Sequence, residues 1–213
     1  MTQQGQRDAS GHYHIAEAND PLPSVTTILD DQLEKPGLEA WKRKHDDWKQ
    51  RRDRAALVGT LAHRKCLNPL AIQDLPIEEV DPDVVDDDLA VDVEVCHALW
   101  EDIKHELPIT DTPHVEKTLW KSEPGYAGTA DLITDGCVVD LKTSKSVDRR
   151  SYALQIASYA KAAEARGVAE IDRAAICKLD YRNTTAGIRW LNSDQLNTLY
   201  DQFTEYRRQY ILR

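Results

Sequence analysis

The chain has 213 residues, is 41% hydrophobic and carries a formal net charge of −10, which predicts one domain with enough apolar material for a sizeable core. With no run of 18 apolar residues and a polar N-terminus, it is expected neither to span a membrane nor to carry a signal peptide, and a cytoplasmic location follows as the default. Cys66, Cys96, Cys137 and Cys177 are scattered without a C-x-x-C pair, which speaks against a zinc knuckle and for small buried apolar residues.

The acidic balance is unusual for a nucleic-acid binder. Asp outnumbers Glu 24 to 13, which suits a high-salt cytoplasm, the organism's or that of its virus. Salt there screens long-range repulsion, so local patches matter more than the total.

In chain order, residues 1–20 read as a loose tail. Ser24 is placed to cap a short helix. A second helix is predicted over 37–49, with Leu38, Trp41, His45 and Trp48 at helical spacing. A third is predicted over 53–67, with Gly59, His63 and Leu67 on one face. Lys42, Arg43, Lys49, Arg51 and Arg52 make this region basic. Interleaved with Asp46, Asp47 and Asp53, they are either a solvated helix face or DNA-binding contacts. Trp41, Trp48 and Trp120 read as core, with stacking on bases as the alternative. An acidic connection covers 68–90, followed by a helix over 91–107 with the stripe Val91, Val95, Leu99, Ile103 and Leu107. Residues 68–110 together read as an acidic helical insertion or cover.

Three strands are then predicted over 115–121, 126–134 and 137–143, separated by Glu123-Pro124-Gly125 and Asp135-Gly136. A helix over 151–166 ends at Gly167, strands follow over 173–180 and 187–191, and a last helix from 193 buries Leu196, Leu199, Phe203 and Tyr206. The expected fold is mixed α/β, with the sheet core and active site over 113–191 and the C-terminal helix over 193–213.

The chemistry concentrates in Gly128-Thr129-Ala130-Asp131 and Val138-Val139-Asp140-Leu141-Lys142. Asp140 and Lys142 point to the same face of a strand. Two carboxylates and an amine are what metal-assisted phosphodiester cleavage needs: the carboxylates hold a hard cation and the ammonium steadies a water or anionic oxygen. An Asp-x-Lys pair alone is ordinarily a solvated sheet face. Beside Gly-Thr-Ala-Asp and behind Val138-Val139 it reads as functional.

With these residues the chain resembles the PD-(D/E)xK nuclease superfamily, in the branch of the RecB nuclease domain, the CRISPR adaptation nucleases and the mitochondrial genome maintenance exonucleases. The likeness covers Gly59-Thr60 with His63, Glu116, the run 125–131, Asp140-Leu141-Lys142-Thr143, and Gln155 with Tyr159. It implies a restriction-endonuclease-like core, a central mixed sheet flanked by helices. It also implies that His63, Asp131, Asp140 and the Leu141 carbonyl bind Mg²⁺ or Mn²⁺, with Lys142 orienting the water. Gln155 and Tyr159 would support the site and the DNA strand. Glu116 matches the family's upstream acidic position, its contact with metal left open. Only Cys177 follows the motifs, so the iron–sulfur cluster of the CRISPR adaptation branch is expected to be absent.

The function implied is a metal-dependent DNA exonuclease on single-stranded or end-containing DNA, in replication, recombination or repair. Replication or recombination proteins are the expected partners; no oligomer interface is legible. The alternatives are a structure-specific endonuclease, a non-catalytic binding protein on the same fold, and an acidic mimic of DNA.

Overall fold

The computed structural model describes residues 6–18, 20–34, 38–71, 86–145 and 149–211. Within them lies a five-stranded mixed sheet in the order β4 (His114–Lys121), β5 (Tyr126–Thr134), β6 (Cys137–Lys142), β7 (Arg173–Asp180), β8 (Thr185–Asn192). Neighbours are antiparallel except β6 and β7, which are parallel. A parallel pair needs a crossover, and α5 (Arg150–Ala165) supplies it.

Alternation along β6 divides the core into two layers. Val138 packs with α1 (Val25–Gln32), α5 and α6 (Ser193–Ile211). Cys137, Val139 and Leu141 pack with α3 (Trp48–Leu67) and α4 (Asp87–Ile103). The sheet is therefore covered by helices on both faces, as its near-continuous apolar strands require. All four cysteines are free and lie in the second layer. Burial pushes the Cys66, Cys96 and Cys137 thiols up to about 12, so they behave as small apolar residues. Among the described residues, no helix is long and apolar enough to cross a membrane.

Three elements differ from expectation. The supposed tail forms a small antiparallel sheet, β1 (Gln6–Arg7), β2 (His12–His14) and β3 (Leu22–Pro23). Local turn chemistry explains it. The Asp8 carboxylate accepts the backbone N–H groups of Ser10 (2.9 Å) and His12 (3.0 Å), and Gly11 supplies φ +82°. Tyr13, Ile15 and Leu22 pack against Ala127 of β5.

The helix expected over 37–49 is broken. α2 (Leu38–Lys44) ends where the His45 ring turns back to the Trp41 carbonyl (2.9 Å), and α3 starts anew after Asp47. Asp residues favour such ends over helix interiors.

α4 begins earlier than expected, because Asp86 caps it by accepting the Leu89 N–H (2.7 Å), with Asp87 and Asp88 in its first turn. Its buried face is Leu89, Val93, Cys96, Leu99, Trp100 and Ile103, which leaves Val91 exposed. A strict four-residue stripe drifts off one face of a helix with 3.6 residues per turn. α4 packs on α3, β7 and β8 and so forms part of a core layer rather than an added cover. Residues 72–85 of the acidic connection lie outside the described residues.

The Ser24 cap is present, its Oγ accepting the Thr27 N–H at 3.0 Å. Ser24 also bridges to Ala127, while the Tyr13 hydroxyl lies 3.0 Å from Thr129 Oγ1. The N-terminal elements thus brace β5 beside Gly128. There the Tyr159 ring of α5 lies so close that a Cβ on Gly128 would sit 2.3 Å from Tyr159 Cε1. Gly128→Ala is expected to cost about 1–3 kcal/mol by overpacking, read by urea denaturation. An unchanged midpoint would mean that the ring moves aside freely.

Candidate metal centre and the adjoining groove

The site forms where the β5–β6 ladder ends and the β4–β5 ladder skips one pair. The β4–β5 register pairs Val115 with Leu132 and Lys117 with Ala130 but skips Glu116 and Asp131. At that step both strands turn over. Leu119 and Ala130 face the α5 layer, whereas Leu132 and Val115 face the α3–α4 layer. Glu116 has φ +47°, a left-handed conformation that costs a non-glycine residue about 1–2 kcal/mol. The β5–β6 pairing stops at Leu132 and Val139, so Asp131 and Asp140 lie just past the last pair. The Leu141 N–H, left without a strand partner on that side, donates instead to Asp131 Oδ2 at 2.7 Å.

α3 closes the site from the second layer. His63 Nδ1 is 3.6 Å from Asp131 Oδ2, and its Nε2–H donates to the Leu141 carbonyl at 2.9 Å. Gly59, one turn earlier, faces Thr143 just beyond β6. A Cβ there would make an ordinary 3.5 Å contact, so the glycine eases the approach of α3 without being required for it.

One ligand atom each from His63, Glu116 and Asp131 lie within 4.8 Å of one another. That spacing suits donors sharing one ion at bond lengths of about 2.0–2.6 Å. The Leu141 carbonyl lies against the His63 ring, 2.9 Å from Nε2. An imidazole, two carboxylates and a carbonyl suit Mn²⁺ or Mg²⁺, with the nitrogen favouring Mn²⁺.

Asp140 is placed differently from expectation. It is not part of the compact donor group. Its carboxylate is ion-paired with Lys142, Nζ lying 2.8 Å from Oδ1 and 2.8 Å from Oδ2. Only Oδ1 receives a well-directed hydrogen bond, so the buried Oδ2 is left without one. The Lys142 charge 2.8 Å away compensates that oxygen electrostatically. Lys142 Nζ also lies 4.9 Å from the centroid of the Tyr152 ring. Gln155 Nε2 donates to the Tyr159 hydroxyl at 3.0 Å, and the Tyr159 ring packs on Gly128 next to the site.

The electrostatics are those of crowded carboxylates. Glu116 is pushed up to about 7, chiefly by burial and then by the Asp131 charge, with His63 opposing. Asp140 is pushed up to about 6 by burial, with Lys142 pulling down and Asp131 adding to the rise. Burial works to lower the Lys142 pKa, but the Asp140 and Asp131 charges outweigh it, and the net is upward. The amine therefore stays cationic near neutral pH.

A groove of about 1830 Å³ opens beside the centre. It starts at the C-terminal end of α1 and the Trp41–His45 ring pair, follows α3, and passes Thr143 and Ser144 to the start of α5 and the β7–β8 turn. Of the basic residues singled out from sequence, Arg51 and Arg52 line it, while Lys42, Arg43 and Lys49 do not. Arg51 is paired with Asp47 and Arg52 with Asp53; Lys42, Lys49 and Arg52 also crowd the Trp48 ring. Trp48 is half-buried beneath these cations, Trp41 is exposed, and Trp120 carries the Arg166 guanidinium 3.8 Å from its ring. Sequence reasoning missed Tyr152, Arg149, Arg150 and Arg182. Their only local sign is basic residues set one to three positions from tyrosines in Arg149-Arg150-Ser151-Tyr152 and Tyr181-Arg182.

No protein-family model matches the chain, and no curated protein matches it in sequence.

The raised carboxyls fix a sign. The folded protein holds protons on Glu116 and Asp140 above the unfolded values near 4, so metal-free stability falls as pH rises from about 4 through about 7. Urea denaturation in EDTA should show this fall, and Glu116→Gln should reduce it. Added Mn²⁺ should stabilise the wild type more at pH 8 than at pH 5.5. Equal pH dependence in wild type and variant would contradict the assignment.

Proposed function

We propose that the chain is a metal-dependent nuclease that hydrolyses phosphodiester bonds in DNA, acting from a free or single-stranded end. On this reading the mixed sheet flanked by helices is a restriction-endonuclease-like core. The observation that carries the proposal is the meeting of His63, Glu116 and Asp131, beside the Leu141 carbonyl, where β5 and β6 part, with the Asp140–Lys142 pair alongside. Strained backbone and shifted carboxyls concentrated at one place mark a site kept for chemistry rather than stability.

A bound Mg²⁺ or Mn²⁺ supplies positive charge to a phosphate oxygen and lowers the pKa of a water. The rest falls to the chain. Asp131 is fixed by the Leu141 N–H, so one carboxylate oxygen is oriented before any ligand arrives. His63 would act as a ligand through Nδ1, which faces Asp131, while its Nε2–H stays on the Leu141 carbonyl and fixes the ring; a ligand role for that carbonyl would need this hydrogen bond to be released. Lys142, held cationic by Asp140, steadies the attacking water or the charge building on the phosphate, and does not act as a base. Tyr159 and Gln155 fix the wall behind Gly128.

Asp131→Asn tests this most cleanly, because the amide keeps an oxygen to accept the Leu141 N–H. Cleavage of end-labelled single-stranded DNA with Mn²⁺ should fall on the order of a thousand-fold, while the unfolding midpoint in EDTA stays near that of wild type. Wild-type cleavage by this variant would refute the proposal.

A further inference from the structure

The protein carries a net charge of −10, yet the groove wall holds seven Arg and Lys residues against three acids. Three of the seven are neutralised locally: Arg51 by Asp47, Arg52 by Asp53 and Arg54 by Asp92. Arg149, Arg150 and Arg182 are held in another way. Their guanidinium groups lie over tyrosine rings: Arg149 at 5.6 Å from the Tyr152 centroid, Arg150 at 5.5 Å from Tyr206, and Arg182 at 4.3 Å from Tyr181. Arg150 also donates to Gln202 Oε1 at 3.0 Å. Among the described residues, none of the three is paired with a carboxylate.

The distinction matters physically. A carboxylate partner cancels the charge and occupies the N–H fork. A ring face fixes the guanidinium plane and leaves both the charge and the in-plane donors for a ligand. Phosphate is the ligand those donors match, two at a time. We infer that Arg149, Arg150 and Arg182 form a phosphate track that holds a single nucleic-acid strand by its backbone beyond the cleaved bond. The inference rests on the reading of the metal centre as a phosphodiester-cleaving site. Tyr152 ties track to centre, because its ring is shared by Lys142 and Arg149. A strand leaving Lys142 along the groove reaches Arg149 next.

The occupant is a single strand because the groove also presents an aromatic face. Trp41 is 36% exposed, and its ring lies 5.0 Å from that of His45. An unpaired base gains from stacking there, whereas the bases of a duplex already stack on one another.

The test is fluorescence anisotropy of a fluorescein-labelled oligothymidylate with the full chain in EDTA, over a salt series. The wild type should bind. Arg149→Ala and Arg182→Ala should each reduce the slope of log K against log salt by about 0.7, the value for one phosphate contact on a single strand. The double variant should lose about twice that. Arg166→Ala, which removes a guanidinium stacked on Trp120 outside the groove, should leave affinity and slope as in wild type. No binding by the wild type, unchanged slopes in the arginine variants, or a blunt duplex binding as tightly as the strand would overturn the track. Hydrolysis of bis(p-nitrophenyl) phosphate by the wild type with Mn²⁺ separates the two readings. Strand binding with the expected slopes but no ester hydrolysis would uphold the track and defeat the nuclease assignment.

Discussion

The site depends on one hydrogen bond, from the Leu141 N–H to the Asp131 carboxylate. Antiparallel strands ordinarily satisfy each other's backbone groups, and β5 and β6 do so until Leu132 and Val139. Beyond that point a side chain replaces a main-chain acceptor. The replacement lets the strands diverge without stranding a buried N–H, and the divergence makes room for His63 from one layer and Asp140 and Lys142 on the other. Each remaining feature compensates for opening the sheet there. Glu116 adopts a strained backbone, two carboxyls hold on to protons, and one oxygen of Asp140 goes without a hydrogen bond. A fold selected for stability alone would fill this space with apolar side chains.

The charge distribution follows the same division of labour. Negative charge is spread over helix ends and surfaces, as at Asp86, Asp87 and Asp88 of α4, while the groove wall gathers Arg149, Arg150 and Arg182, each held on a tyrosine ring. In strong salt the Debye length falls to about 3 Å, so on the proposed reading a distant acidic surface would do little to repel a strand in the groove. Guanidinium groups fixed on tyrosine rings keep their contacts at short range, where screening is weakest.

Much of this was legible in the sequence where periodicity and turn residues agree. β4, β5 and β6 fall within one residue of their expected bounds, and α5 ends just ahead of Gly167. His63, Asp131 and Leu141 lie together, a grouping that the resemblance implied and that spacing alone did not provide. The N-terminal sheet was hidden because its strands are two or three residues long and depend on an Asp8 turn rather than on hydrophobic alternation. The helix break at His45 follows from a ring-to-carbonyl contact that no propensity scale contains. The close approach of Glu116 to His63 and Asp131 was left open by the sequence, because it goes with a positive φ at Glu116 that strand patterning does not reveal. Tertiary geometry decides which two of the three nearby carboxylates join the donor group, and sequence spacing alone does not.

The central claim is that these side chains share an ion. Crystals grown with Mn²⁺ and measured at the manganese edge test it directly. An anomalous peak is expected roughly 2.0–2.3 Å from a nitrogen of His63 and a carboxylate oxygen each of Glu116 and Asp131. Crystals that bind Mn²⁺ elsewhere, with no peak between His63, Glu116 and Asp131, would contradict it.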